Sequence, residues 1–88
     1  MIPKFPLGQV FATRGVFEKL SNVDIGNAIR RHIAGDWGDV CDGDRQANDD
    51  ALANGGRLFS VYHAQGVKFW IITEHDSSST TVLLPDEY

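Results

Sequence analysis

Arg57-Leu-Phe-Ser-Val-Tyr-His-Ala-Gln-Gly-Val-Lys-Phe-Trp-Ile-Ile-Thr-Glu74 is the stretch that decides the fold. It is crowded with β-branched and aromatic side chains and is broken once, by Gln65-Gly66, a pair suited to a two-residue hairpin turn. With that pair as the loop, Ala64 faces Val67, and counting outward sets His63 opposite Lys68, Val61 opposite Trp70, Phe59 opposite Ile72 and Arg57 opposite Glu74. Cross-strand partners share a face, so the other face carries Leu58, Ser60 and Tyr62 against Thr73, Ile71 and Phe69. The run Phe69 to Ile72 is apolar on both sides, which marks its strand as central in a sheet. An Asp76 to Ser78 turn then leads to a further strand, Ser79 to Leu84, stopped by Pro85.

Upstream of Asn54 the spacing is helical. Ile25, Ile29 and Ile33 fall four apart with Ala28 beside them, an apolar stripe that Ser21 or Asp24 caps and Gly35 ends. Arg30, Arg31 and His32 sit at its C-terminus, where positive charge complements the helix dipole. A third helix is expected to start at Asp42 or Asp44, to turn Ala47, Ala51 and Leu52 inward, and to run to about Ala53 before closing at Asn54-Gly55-Gly56. Nearer the N-terminus, Thr13 suits the cap of a short helix around Val16 to Leu20, and Gln9 to Ala12 suits an edge strand. Met1 to Gly8, with Pro3 and Pro6, reads as an extended arm. The expected fold class is therefore α+β: two or three N-terminal helices packed on a three- to four-stranded antiparallel β-meander, in a single domain spanning residues 1–88.

Composition narrows the function classes. The chain has 88 residues, of which 42% are hydrophobic and 23% charged, as in ordinary globular domains. A core this small gives moderate stability, which dimerisation would raise. The net charge of -4, with no clustered Lys and Arg, argues against general nucleic-acid binding. The lone Cys41 excludes an internal disulfide and a thiolate zinc site, and with no secretory or membrane-length apolar run the expected compartment is the cytoplasm, with no membrane contact.

Three groups of residues carry chemistry worth weighing. His32, Asp36 and Asp39 converge with Trp37 at a helix end. As a functional group they would offer nitrogen and oxygen ligands to a divalent metal; as a structural group Gly35 and Gly38 shape a turn, Trp37 plugs the core and the aspartates bond backbone amides. The structural reading is the stronger, so no metal is assigned. Around it, Asp36, Trp37, Asp39, Asp42 and Asp44 form the candidate binding surface, acidic enough to attract a basic partner and lacking the ligand pattern of a calcium loop. The third group, Arg57, His63 and Glu74, has the residue types of a phosphate clamp, a general acid and a general base for metal-independent RNA cleavage. Helices followed by an antiparallel meander is also the order of barnase- and RelE-like nucleases, a fold analogy only. The competing reading pairs Arg57 with Glu74 as a cross-strand ion pair and leaves the histidine solvated. No Ser-His-Asp order, phosphate-cradling glycine loop or dinucleotide fingerprint occurs, so no cofactor is implied.

The blocks His32-Ile-Ala-Gly-Asp-Trp-Gly38, Asp44-Arg-Gln-Ala-Asn48, Gly56-Arg-Leu-Phe-Ser-Val-Tyr62, Trp70-Ile-Ile-Thr-Glu-His-Asp76 and Thr80-Thr-Val-Leu-Leu-Pro-Asp-Glu-Tyr88 resemble a family of small uncharacterised bacterial proteins of plasmids and prophages, some labelled type I restriction subunits. The resemblance implies a mobile-genetic-element context and brings no catalytic residues; a methyltransferase would need a cofactor-binding domain that 88 residues cannot hold. The leading functional expectation is a non-catalytic accessory module that binds another macromolecule, an unidentified protein. The alternative is the small ribonuclease.

Overall fold

Gln65 and Gly66 both take positive φ, 55° and 72°, the pattern of a type I′ turn, whose twist suits a tight hairpin. The computed structural model describes residues 3–88; Met1 and Ile2, the first residues of the expected arm, lie outside the described residues. Around the turn, β2 (Leu58–Ala64) and β3 (Val67–Thr73) pair antiparallel in the expected register, from Leu58 opposite Thr73 to Ala64 opposite Val67. β4 (Ser79–Leu83) pairs antiparallel with the other side of β3, and β1 (Gln9–Ala12) completes the sheet in the order β1-β4-β3-β2. β3 is interior, as its two-sided apolarity requires.

The sheet departs from an all-antiparallel meander at β1, which runs parallel to β4. A parallel pair needs a long crossover, and here three helices lie between the two strands: α1 (Arg14–Lys19), α2 (Asn22–Ile33) and α3 (Asp42–Asn54). α1 begins earlier than the apolar spacing suggests. Thr13 holds the N-cap position, but its hydroxyl donates to the Glu87 carboxylate instead of capping the helix. Glu87 lies in a terminal 3-10 turn (Pro85–Glu87), and it also accepts from the backbone N–H groups of Gly15 at 3.1 Å and Leu84 at 3.0 Å. Gly15 is what permits this, since a Cβ there would press on Leu84 and Glu87.

α2 starts with a capping box in which the Ser21 hydroxyl accepts from the Asp24 N–H and the Asp24 carboxylate accepts from the Ser21 N–H, both at 3.1 Å. Its buried face is Ile25, Ala28 and His32, with Ile29 partly buried. With Val16 of α1 and Leu20 at its C-cap it covers the inner face of the sheet, packing on Tyr62, Phe69, Ile71, Val82 and Leu84. Each large apolar side chain removed from water here contributes about 1.5–3 kcal/mol before entropy is set against it.

His32 corrects the expectation of a charged helix end. The side chain is wholly buried, with Nδ1 2.6 Å from Ser60 Oγ and Nε2 2.9 Å from Thr73 Oγ1. Thr73 Oγ1 lies 2.7 Å from Thr80 Oγ1, which donates to the Leu7 carbonyl at 2.7 Å. One proton per hydroxyl fixes the directions from Leu7 as far as the imidazole. Thr80 spends its proton on Leu7, so Thr73 donates to Thr80 and accepts from His32 Nε2–H; with the ring neutral, Ser60 donates to Nδ1. Burial holds the His32 pKa down at about 4, so the ring is a neutral imidazole carrying its proton on Nε2.

The free side of β2 is closed by polar backbone contacts. Gly38 bridges to Val61, with the Val61 N–H donating to Trp37 O at 3.0 Å and the Asp39 N–H to Val61 O at 2.8 Å. Gly38 takes φ 74°, and a Cβ there would overlap the Val61 carbonyl oxygen. One residue pair further, Asn48 of α3 bonds both backbone groups of Phe59: its Nδ2 donates to Phe59 O at 2.7 Å and its Oδ1 accepts from Phe59 N–H at 3.0 Å. α3 therefore buries Asn48, with Ala51 and Leu52 half-buried and Ala47 exposed, not the wholly apolar side expected. Its N-cap is Cys41, whose Sγ accepts from the Asp44 N–H at 3.4 Å, with Asp42 and Asp44 inside the first turn. Gly55, at φ 86°, ends the helix as the sequence suggests.

Candidate functional site

Alternation along β2 and β3 sends Phe59, Ile72 and Trp70 to the face of the sheet opposite α1 and α2. The terminal turn brings Tyr88 over the same face. Phe59 meets Trp70 edge-on with ring centroids 5.1 Å apart, and Trp70 meets Tyr88 edge-on at 5.8 Å. The Arg57 guanidinium lies 5.4 Å from the Tyr88 ring, donates to its hydroxyl at 2.6 Å, and pairs with the Glu74 carboxylate at 3.3 Å. The hydrogen bond to Tyr88 and the Glu74 charge raise the Arg57 pKa further. Together Arg57, Phe59, Trp70, Ile72 and Tyr88 enclose an open pocket of about 270 Å³ with almost wholly apolar walls. Trp70 Nε1–H is buried without an acceptor among the described residues.

The ribonuclease residues do not converge. Arg57 and Glu74 face each other, as the register requires, but His63 lies six residues along β2, roughly 20 Å away at strand rise, and pairs with Asp39 at 3.0 Å. The exposed Arg57–Glu74 pair lends the fold little on its own.

The helix-end group is drawn apart in the same way. His32 faces the core with both ring nitrogens engaged; Asp36 is held by Arg31 at 2.7 and 3.2 Å and accepts from the Gly38 N–H at 3.3 Å. The Arg31 hydrogen bonds keep the Asp36 carboxyl below its ordinary pKa. Tyr62 donates to the Asp36 carbonyl at 2.7 Å beneath the Arg31 guanidinium, and burial pushes its phenol up to about 12. Trp37 is buried and donates to Asp49 at 3.2 Å, packed beside Phe5 of the N-terminal arm. Among the described residues no three His, Cys, Asp or Glu side chains gather as a metal site.

Of the acidic binding candidates, Asp36 and Trp37 line a shallow polar hollow of about 310 Å³ with Arg45 and Asp49, and Asp39 faces His63. Asp42 and Asp44 stand exposed on the first turn of α3. The acidic segment is thus partly neutralised from within by Arg31 and Arg45.

Phe59, Trp70, Ile72 and Tyr88 were not singled out by the sequence as a site. The hairpin register already set Phe59, Ile72 and Trp70 on one face; what it lacked was any sign that the helices leave that face open, or that Tyr88 returns to it. No helix among the described residues is long and apolar enough to cross a membrane. Comparison of the chain with family models, with curated proteins and with solved structures finds no match.

Proposed function

We propose that the protein is a non-catalytic binding module that engages another protein through the outer face of its sheet, an apolar or aromatic side chain of that protein entering the pocket between Phe59, Trp70 and Tyr88. The observation that carries this reading is the pocket itself: exposed Tyr88 and half-buried Phe59 and Trp70 stand around a buried Ile72 and leave an open, almost wholly apolar hollow. Aromatic and arginine side chains in a concave, apolar setting are the composition of interface hot spots. A net charge of -4 disfavours nucleic acid as the occupant. The indole N–H of Trp70, unpaired at a cost of about 1–3 kcal/mol, would gain an acceptor if the ring shifted toward a bound carbonyl. The sequence resemblance to small plasmid and prophage proteins supports a mobile-genetic-element setting for such a module, with the cytoplasm as the compartment the reading assumes. A ribonuclease receives no support from geometry, because its proton-transfer histidine lies at the far end of β2 from Arg57 and Glu74.

The test compares variants in capture from host lysate. Tyr88→Ala removes an exposed pocket wall and is expected to weaken retention of the bound protein by roughly tenfold or more, while the Asp42→Asn/Asp44→Asn pair leaves it unchanged. Capture that survives Tyr88→Ala and fails with the aspartate pair would move the site to the acidic first turn of α3.

A further inference from the structure

The two edges of the sheet are treated differently. β2 is closed by the Gly38 bridge and by Asn48, whereas nothing among the described residues pairs with the outer side of β1. Sheet edges are ordinarily guarded by charge, proline or a covering element. β1 reads Gln-Val-Phe-Ala; it is short, at four residues, but has none of these, and it leaves Val10 48% and Phe11 51% exposed. Phe17, 61% exposed on the helix that follows, adds to the same stretch of chain.

Backbone direction defines what this edge accepts. Gln9 and Thr13 donate their N–H groups to Ser78 O and Val82 O, so the odd residues of β1 face β4. Strand alternation then points the N–H and C=O groups of Val10 and Ala12 outward, two residues offering four bonding groups. An antiparallel partner must present the same spacing, and a second β1 does. With Phe11 opposite Phe11 of the second copy on a twofold axis, Val10 and Ala12 exchange both bonds with Ala12 and Val10 across it. Side chains agree with that register. Phe11 shares the outer face with its neighbours Thr81, Ile72 and Phe59, and meets its own copy in the closely spaced, non-bonded pair, while Val10 meets Ala12 on the inner face.

We infer that two copies of this chain associate edge to edge through β1, joining their sheets into one of eight strands. The contact is short, which sets the dimer among weak, concentration-dependent associations. A twofold axis perpendicular to the sheet keeps both outer faces on one side, so the two aromatic pockets look the same way, about 30 Å apart at strand spacing. This pairing does not depend on what the pockets bind.

Sedimentation equilibrium of the free protein tests it. The wild type is expected to rise with concentration from 9.7 kDa toward twice that mass. Val10→Pro removes an outward N–H that β4 does not use, and Phe11→Lys sets like charges on the axis; both are expected to stay monomeric with native circular dichroism. Tyr88→Ala should associate like the wild type. A wild type that remains at 9.7 kDa at every concentration, or folded Val10→Pro and Phe11→Lys variants that associate as the wild type does, would overturn the inference.

Discussion

His32 joins α2 to the sheet through hydrogen bonds from both ring nitrogens, to Ser60 and Thr73, and burial keeps the ring neutral. Its pKa falls from 6.5 to about 4 on folding, so between those values the unfolded chain binds a proton that the native state refuses. Stability is therefore full above about pH 6.5, declines as the pH drops through that window, and levels off below about 4 after a loss of about 3 kcal/mol from this group. Urea unfolding across pH checks this: His32→Gln is expected to start less stable at neutral pH by about 1–3 kcal/mol but to flatten the slope between pH 6.5 and 4. An unchanged slope would mean that His32 is not the titrating group. The same residue marks a limit of sequence reading. A histidine beside two arginines at a helix end looks like a dipole-complementing cation, and only the hydroxyls of Ser60 and Thr73, 28 and 41 residues away, make it a core residue.

At the scale of elements, legibility follows sequence separation. The β2–β3 hairpin is read correctly residue by residue because turn, period and register all lie within one local stretch. β1 is four residues long and finds its parallel partner β4 seventy positions later, so no local pattern announces the pairing or its direction. α3 misleads for another reason. Its buried residue is an asparagine, which composition assigns to solvent, but here the amide does the work of a neighbouring strand for Phe59. Asn48→Ala leaves two backbone groups of Phe59 partly buried and unpaired and is expected to cost about 2 kcal/mol, a melting drop on the order of 10 °C. Asn48→Asp, which keeps the size but faces a carboxylate to the Phe59 carbonyl, should destabilise at least as much at neutral pH. Thermal melts of the two variants decide it; melts like the wild type's would show that the edge of β2 is held by the Gly38 bridge alone.

Over the whole molecule, the helices are unevenly spread: α1 and α2 cover the inner face, α3 and the Trp37 segment guard the β2 edge, and the outer face is left to Arg57, Phe59, Trp70, Ile72 and Tyr88. The register placed most of these side chains on one face, but the openness of that face depends on where helices dock, which apolar spacing does not reveal. Tyr88 belongs to no periodic pattern, and it reaches Arg57 and Trp70 because Glu87 anchors the final turn to Thr13 and Gly15. The most direct measurement is photocrosslinking in host cells from a benzoylphenylalanine in place of Tyr88 or, separately, of Val23, two side chains equally exposed at 69%. Adducts to one other polypeptide from position 88 and none from position 23 are the predicted result. Equal adducts from both positions, or adducts from position 23 alone, would contradict the assignment of the outer face as the binding surface.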